Sequence, residues 1–362
     1  MRSPEPAADA VIGWDVGGAH LKGCLLVDGQ VQDVAQWLCP LWQGLQHLEA
    51  DLAQARSRWP QAQHARHAVT MTGEMVDLFA TREDGVCQIA THLAAALRGP
   101  VHFYAGDEAW CTAAEAAAHW AQIASANWRA TASHVAAWAD GRAGVLVDVG
   151  STTTDLVAFG KGRVLGSSQS DADRLATGEL VYHGVVRTPL CALAPQIVLQ
   201  GRRHNVMNEF FATTADVYRL TGELDPAHDQ HPAADGAPKD TRHTQQRLAR
   251  MVGHDASEAP ADAWLALARA WRSAQVATLA GQLQRVHAAH RLPADAEMVA
   301  AGCGAFLVAD VWAAAGLPDR PVRDYGVDVA GLAPVAPAGT AAWARVCAPS
   351  VAVATLLARE LR

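Results

Sequence analysis

Residues 145–156 read VLVDVGSTTTDL, and residues 11–22 read VIGWDVGGAHLK. Each stretch is an apolar run that reaches an Asp, then Val-Gly, and then small or hydroxylated residues. Such a run predicts a buried strand that ends in a tight turn, with a second strand returning beside it. The chain therefore contains the same strand, turn and strand twice, with Asp15 and Asp148 at equivalent places.

Turns of this composition are suited to binding anions. Glycine lets the backbone approach a phosphate without a Cβ in the way, and consecutive backbone N–H groups can converge on one anion. Phosphate binding is therefore assigned to the turn residues Gly17, Gly18, Gly150, Ser151, Thr152 and Thr153. Asp15 and Asp148 are placed to hold Mg²⁺ beside a bound phosphate, directly or through water. Lys22 returns along the next strand toward the same anion.

Composition narrows the class of protein. The chain has 362 residues, of which 50% are hydrophobic and 18% charged, which is enough for two globular domains. The net charge is −8 and the sequence has no basic run, so nucleic acid and membrane are not expected as partners. Seven cysteines without a C-x-x-C pair favour a reducing cytoplasm. Small molecules are the expected ligands.

The order of predicted elements is that of an α/β protein. A strand at 101–106 is expected to lead into a helical stretch at 108–123. The polar, proline-rich segment at 222–238 is too long for a routine connection and is predicted to be functional or disordered. The expected parts are a disordered leader at 1–10, an N-terminal domain at 11–140, and a C-terminal domain at 141–362 with a loop insertion at about 222–240 and a C-terminal helix.

These motifs resemble a known superfamily. The two turns and the Gly302-Cys303-Gly304 stretch are similar to the two phosphate motifs and the adenosine motif of the actin, sugar-kinase and heat-shock ATPase superfamily. The DVGSTTTD stretch resembles its hydantoinase/oxoprolinase branch. Further similarity to proteins linked to tetrahydromethanopterin one-carbon transfer lies in MTGEM (71–75), YAGDEAW (104–110), ANWRATASHVA (126–136), YHGVVRTP (182–189), TTADVYRLTGEL (213–224) and DQHPAADGAPK (229–239).

The resemblance implies a fold and a reaction. The fold is a pair of ribonuclease-H-like domains around a phosphate-binding cleft, with Gly302 and Gly304 in a nucleotide-like pocket. The archaeal relatives include a methanofuran-biosynthesis enzyme that joins an aminomethylfuran-methyl diphosphate to a phenol and releases diphosphate. This chain is accordingly expected to be an aryl or alkyl transferase that uses Mg²⁺, with a diphosphate and a phenolic acceptor as its partners.

That reaction needs a base and an acceptor site. A phenol has a pKa of about 10, so a carboxylate that takes its proton should assist the attack at neutral pH. Glu74 and Asp155 are the candidates, and Asp155 is equally suited to binding the metal. Arg187 is assigned, from its residue type, to the amino-acid portion of the acceptor.

Two other functions stay open at this point. One is an ATP-dependent kinase or lactam hydrolase of the hydantoinase/oxoprolinase type, which would make ATP a ligand. The other is a non-catalytic nucleotide sensor in one-carbon metabolism. The identity of the phenolic acceptor, the use of ATP and pairing into a homodimer are likewise open.

Overall fold

The computed structural model describes residues 10–106 and 109–361. They form two compact units. Unit 1 holds the described residues up to Ala143, Phe159–Asp171 and the residues from Arg323 on, and unit 2 holds Gly144–Ala158 and Ala172–Val322. The first crossing lies close to the boundary expected at 140/141, but the C-terminal helix groups with unit 1 instead of unit 2. All but the last residue of the leader predicted at 1–10 lie outside the described residues.

Strands and helices alternate through both units. The strands are β1 (Ala10–Val16), β2 (His20–Val27), β3 (Gln30–Leu38), β4 (Arg66–Met71), β5 (Val101–Tyr104), β6 (Trp110–Cys111), β7 (Gly144–Val149), β8 (Thr154–Gly160), β9 (Arg163–Val164), β10 (Leu180–Val181), β11 (Gln196–Leu199), β12 (Arg202–Asn205), β13 (Glu297–Ala301) and β14 (Val322–Asp324). The helices are α1 (Leu45–Arg58), α2 (Arg82–Ala96), α3 (Trp120–Ile123), α4 (Asn127–Trp138), α5 (Asp171–Thr177), α6 (Leu190–Leu193), α7 (Thr214–Thr221), α8 (Thr241–Arg250), α9 (Ala261–Ala289), α10 (Val308–Ala314), α11 (Thr340–Val346) and α12 (Ala348–Glu360).

The sheet of unit 1 has the order β3-β2-β1-β4-β5-β6. The first three strands are antiparallel neighbours, and β4 and β5 continue the sheet parallel to β1. Asp28 and Gly29 join β2 to β3 with φ angles of 52° and 79°, as expected for an Asp-Gly hairpin turn. The hairpin predicted from the sequence at the start of the chain is therefore confirmed.

Helix α12 packs directly on strand β1. Gly13 makes this close approach possible, because a Cβ at that position would overlap the Ser350 carbonyl oxygen and lie 2.8 Å from the Ala354 Cβ. Most of α12 is buried. The end of the chain is therefore part of the core of unit 1, although it is far from β1 in sequence.

A second sheet repeats this plan. Its order is β10-β8-β7-β13-β14, and β13 runs parallel to β7 as β4 does to β1. Strand β8 pairs with β9 across Lys161 and Gly162, whose φ angles of 54° and 72° match those of the Asp28-Gly29 turn. The duplication seen in the sequence thus extends to the sheet order and to the hairpin that follows each turn.

The helical stretch predicted at 108–123 is wrong. Trp110 and Cys111 form strand β6, which pairs with β5, and a helix begins only at Trp120. The Glu115 carboxylate accepts hydrogen bonds of 2.8 Å from both the backbone N–H and the hydroxyl of Thr112. This side chain stabilises a series of turns in an alanine-rich segment whose composition alone favours helix.

The predicted insertion at 222–240 is a folded loop that is fixed by ion pairs in unit 2. Asp229 binds the Arg219 guanidinium at 2.5 Å and the Lys239 ammonium at 3.1 Å. Asp216, which caps α7, accepts from Arg219 at 2.8 Å and from Arg247 at 2.7 Å. Asp216 and Arg247 are fully buried. A network in which each buried charge is paired holds the loop against α7 and α8.

We expect Arg247→Met to destabilise unit 2 by about 3–5 kcal/mol, because it leaves the buried Asp216 with fewer charged partners. Urea unfolding followed by a tryptophan signal measures the change. Arg250→Met is the matched control, since the Arg250 side chain is 49% exposed and meets Asp235 only at 3.4 Å; it should change the free energy of unfolding by less than about 1 kcal/mol. Equal effects of the two substitutions would show that the network does not stabilise the loop.

The length and apolar character of the helices bear on membrane association. In the described part of the chain, no single helix is long and apolar enough to cross a membrane, and only the bent pair α11 and α12, with 93° between them, reaches that length and composition together.

Candidate active site

The first turn joins β1 to β2 in unit 1. The Gly17 N–H donates to the His20 carbonyl at 2.9 Å and closes the turn. Asp15 is 2% exposed and lies opposite Lys22 in the strand register, with 3.4 Å between Oδ2 and Nζ. A Cβ on Gly18 would lie 2.7 Å from the Val76 side chain. The structure thus brings Asp15, Lys22 and the two glycines together as expected from the sequence.

The second turn, between β7 and β8 in unit 2, closes in the same way. The Gly150 N–H donates to the Thr153 carbonyl at 2.8 Å. The N–H groups of Gly17 and Gly150 therefore both form a hydrogen bond within their own turn. We retain the residues that follow, Gly18 in one turn and Ser151, Thr152 and Thr153 in the other, as the candidates for direct contact with a phosphate.

The segment after β10 packs against this second turn. Val185 and Arg187 donate their backbone N–H groups to the carbonyls of Gly150 and Ser151, at 3.0 and 2.8 Å. A Cβ on Gly184 would overlap the backbone of Ser151 and Thr152. A second backbone segment therefore packs against the turn. Only a glycine at position 184 allows it to approach this closely.

Arg187 reaches the second turn with its side chain. Its Nη1 lies 3.5 Å from the Thr152 hydroxyl, and burial lowers the pKa of its guanidinium from the ordinary value. Burial and the charges of Arg187 and Lys239 lower the pKa of the nearby His231 to about 4, so this ring is neutral at pH 7. The arrangement places a guanidinium beside the turn hydroxyls, which is a suitable position for binding phosphate oxygens.

A third element is repeated in both units, and the sequence did not show that its two copies, the loops after β4 and β13, are equivalent. In unit 1 the chain leaves β4, and the Thr72 N–H donates to the Val16 carbonyl at 3.0 Å. In unit 2 it leaves β13, and the Gly304 N–H donates to the Val149 carbonyl at 2.8 Å. The parallel strand next to each turn thus continues into a loop that binds the residue before the turn glycine.

The loop in unit 2 depends on its two glycines. Gly302 has a φ of +82°, and a Cβ there would lie 2.5 Å from the Asp148 carboxylate and overlap the Val149 carbonyl. A Cβ on Gly304 would lie 2.5 Å from the Val149 side chain. These contacts place Gly302 against the predicted metal ligand Asp148 and Gly304 against Val149.

The loop in unit 1 carries Glu74. It lies in a short 3₁₀ helix, Gly73–Met75, and is 1% exposed. Burial raises the pKa of the Glu74 carboxyl to about 7, although the Ser125 hydroxyl donates to its Oε1 at 2.8 Å and opposes this rise. Its other oxygen, Oε2, is buried without a hydrogen-bond partner among the described residues. A carboxyl with a pKa near 7 can both accept and return a proton at neutral pH.

Ser125 is held in an unusual backbone conformation. Its φ is +52°, it is 5% exposed, and it lies two residues before the start of α4. A non-glycine residue in the left-handed region costs free energy, and such residues are frequent at functional sites. The sequence carries no local signal for this conformation, so Ser125 was missed although its neighbours from 126 on were noted.

Asp155 has a different environment. Its Oδ1 accepts from the buried Arg174 guanidinium at 2.6 Å, and Arg174 also donates to the Glu179 carbonyl at 3.1 Å. To take a proton from a substrate, Asp155 would have to give up part of this charge-assisted contact. Of the two base candidates, Glu74 is therefore retained and Asp155 becomes a structural partner of Arg174 in our interpretation.

The donors expected to bind Mg²⁺ are few. Among the described residues no group of three or more His, Cys, Asp or Glu side chains could hold a metal ion by itself. Asp15 in unit 1 and Asp148 in unit 2 are each the last residue but one of equivalent strands, β1 and β7. One or two carboxylates together with substrate phosphates is the usual way in which proteins hold Mg²⁺, and the donors present fit that pattern.

Comparison with known proteins identifies the family. The hydantoinase/oxoprolinase model matches residues 66–337, which is most of the chain. The chain belongs to the hydantoinase/oxoprolinase family. Within this family it is similar to a protein of Methanocaldococcus jannaschii named (4-{4-[2-(gamma-L-glutamylamino)ethyl]phenoxymethyl}furan-2-yl)methanamine synthase, with 31% identity over 68% of this chain and 72% of the relative. The protein of the same name from Methanococcus vannielii is 34% identical over 33% of this chain and 53% of its own length.

A solved structure supports the fold of this family member. The nucleotide-free structure of acetone carboxylase aligns with 96% of this chain and 70% of its own length, with a TM-score of 0.55 and 12% identity. The predicted fold class, an α/β protein with two domains of the actin-like ATPase type, is confirmed. The phosphate-binding cleft expected between the domains stays a prediction.

Proposed function

We propose that this chain forms the aryl ether of a methanofuran-type cofactor. The phenol oxygen of a tyramine or tyrosine derivative attacks the methylene carbon of an aminomethylfuran-methyl diphosphate. The similarity to the synthases of the two methanogens supports this, since the named product of those enzymes contains a phenoxymethyl-furan bearing a methanamine group. The seven cysteines are all free thiols, which supports a place in the reducing cytoplasm.

The atoms balance without any redox step. A bond forms between the phenol oxygen and the methylene carbon, and the bond between that carbon and the diphosphate oxygen breaks. Its electron pair leaves with diphosphate, and the phenol proton passes to a base. The protein must therefore supply one proton acceptor and several groups that stabilise the developing negative charge.

The observation that carries this proposal is the buried carboxyl of Glu74, which can act as a proton acceptor. Burial raises the pKa of this carboxyl to about 7, so it can accept a proton near neutral pH. It lies on the loop after β4, two residues after Thr72, whose N–H donates to the Val16 carbonyl of the first turn at 3.0 Å. Glu74 is thus our general base for the phenol.

Each turn is proposed to bind phosphate oxygens within its own unit. In unit 1, Lys22 beside Asp15 supplies a cation. In unit 2, Arg187 beside Thr152 supplies a guanidinium that can bind two phosphate oxygens at once. Each unit also offers one carboxylate, Asp15 in unit 1 and Asp148 in unit 2, that would hold Mg²⁺ beside a bound phosphate and so neutralise charge on the leaving group.

The experiment that tests the function is a diphosphate-release assay on the purified full-length chain with Mg²⁺. Diphosphate should appear only when the furan-methyl diphosphate and a phenolic acceptor are both present, and the ether should be found by mass spectrometry. Mg²⁺-dependent ATP hydrolysis or substrate phosphorylation without that ether would instead favour a kinase or lactam hydrolase, the other activity suggested by the family.

A substitution of Arg187 distinguishes a role in binding the diphosphate from a role in binding the acceptor. We expect Arg187→Gln to raise the KM for the diphosphate substrate by roughly 10- to 100-fold, because it removes a charge-assisted hydrogen bond to phosphate. Steady-state kinetics with each substrate varied in turn measures this. Arg202→Gln, at an exposed position on β12, is the control and should be neutral. A rise confined to the KM of the acceptor would restore the role in acceptor binding that the sequence suggested for Arg187.

A further inference from the structure

A large groove in unit 1 has no role in the chemistry described so far. Its volume is about 890 Å³, within the range of sites for small molecules. The residues that line it and enter the argument are Tyr104, Trp110, Arg129, Arg163, Gln169 and Arg359. They come from β5, β6, α4, β9, the segment after β9 and the end of α12, so the groove is built where several elements of unit 1 meet.

The groove is positively charged in an otherwise acidic protein. Three arginines line it against one acidic residue, Glu360, whereas the whole chain has a net charge of −8. Arg129 donates to the Gln169 side chain at 2.8 Å, which fixes the direction of its guanidinium. Arg163 and Arg359 are exposed at the rim. Arginines gathered in this way bind carboxylates or phosphates.

One wall of the groove is aromatic. Tyr104 and Trp110 meet edge to face, with 5.5 Å between their ring centroids. Tyr104 is 1% exposed, and its hydroxyl lies 3.5 Å from the Ser133 hydroxyl. The Trp110 ring is half-buried. An aromatic wall next to arginines suits a ligand that carries both an apolar part and an anionic end.

Two chain segments connect this groove to Glu74. Ser125, which donates to Glu74, lies two residues before helix α4, and Arg129 lies in the first turn of that helix. On the other side, Gln169 in the groove is followed closely by Asp171, whose charge contributes to raising the Glu74 pKa. The groove and the candidate base are therefore neighbours within one unit.

We propose that this groove binds the amino-acid end of the phenolic acceptor, a γ-glutamyl amide with a free carboxylate and ammonium. This inference rests on the proposed function, in which the phenol must reach Glu74. The carboxylate is separated from the phenol by a long flexible chain, so it must bind away from the base, and Arg163 and Arg359 are the partners for it. Glu360 is the partner for the ammonium.

The test compares two acceptors, γ-glutamyltyramine and tyramine, which lacks the carboxylate. In the double variant Arg163→Gln/Arg359→Gln, the preference for γ-glutamyltyramine, expressed as the ratio of the two kcat/KM values, should fall at least ~10-fold. Calorimetry should show a matching loss of affinity for γ-glutamyltyramine. Both arginines are exposed, so the fold should be kept, and Arg202→Gln is again the control.

The outcomes separate this inference from the proposed function. An unchanged preference in an active double variant overturns the groove as an acceptor site while the transferase function stands. If the wild type forms no ether with any acceptor, the proposed function fails, and calorimetry alone decides about the groove. Binding of γ-glutamyltyramine that the double variant loses would then still support it, and equal or absent binding would overturn it.

Discussion

Replacing Glu74 by Gln should lower kcat for ether formation by about 10³-fold, the usual contribution of a general base. The amide is nearly isosteric and can still accept from the Ser125 hydroxyl, which donates to Oε1 at 2.8 Å. The loss should therefore reflect the missing proton acceptor and not a change of shape. Steady-state diphosphate release with saturating substrates measures it.

The pH profile adds a second readout for the same group. Glu74 acts when ionised, so kcat/KM of the wild type should rise with pH and level off above its pKa of about 7. In the Gln variant this limb should disappear from the residual activity. A limb that persists unchanged in the variant would mean that another residue is the base.

The free energy of unfolding should fall over the pH range in which kcat/KM rises. The pKa of Glu74 is raised in the folded state, from 4.5 to about 7, so the folded protein binds more protons than the unfolded chain between these values. Its free energy of unfolding should fall as pH rises from about 4.5 to 7, by up to ~3 kcal/mol. Glu74→Gln should abolish this part of the dependence, and urea unfolding at pH 5 and pH 8 would show it. A variant no more stable than the wild type at pH 8 would contradict the raised pKa of Glu74.

The sequence was sufficient to predict both turns, whereas their binding of phosphate stays a prediction. An apolar run, an Asp and a Val-Gly pair depend only on local strand and turn preferences, so Asp15 and Asp148 could be placed without knowing the fold. The position of Lys22 also follows from local geometry, since a strand that returns from a tight turn brings it opposite Asp15. Local patterns of this kind are the part of a site that a single sequence reveals.

The parts that were missed depend on contacts between distant segments. The loop carrying Glu74 meets the first turn only because β4 pairs in parallel with β1, with Thr70 beside Asp15. The partner of Glu74, Ser125, is 51 residues away and needs a φ that its own sequence does not favour. The C-terminal helix joins unit 1 because Gly13 admits α12, and no local pattern near the end of the chain indicates this.

Composition was misleading in one place for the same reason. The alanine-rich segment after residue 110 favours helix by propensity, yet strand pairing with β5 and the side chain of Glu115 determine its structure. Propensity is a weak preference that a single well-placed hydrogen bond or strand partner can outweigh. Asp155 shows a related limit, because its partner Arg174 could not be identified from the motif alone.

The second large effect is expected from Gly184→Ala. The added methyl would overlap the backbone of Ser151 and Thr152, so the second turn itself must move. A shift of about 1 Å in groups that position a substrate can cost on the order of 100-fold in rate, and overpacking costs about 1–3 kcal/mol of stability. We expect kcat/KM for the diphosphate substrate to fall about 100-fold, with a lower midpoint of urea unfolding.

Two further variants make this expectation specific to the second turn. Gly281→Ala, on the exposed side of α9 with open space around its Cβ, should keep activity and increase the free energy of unfolding by up to ~1 kcal/mol. Thr188→Val removes the hydroxyl that accepts from the Gly184 N–H at 2.8 Å and should give a smaller loss of the same kind. If Gly184→Ala bound the diphosphate substrate as tightly as the wild type, the second turn could not be the diphosphate site. The role of Arg187 beside Thr152 would then have to be abandoned with it, because both depend on the same backbone.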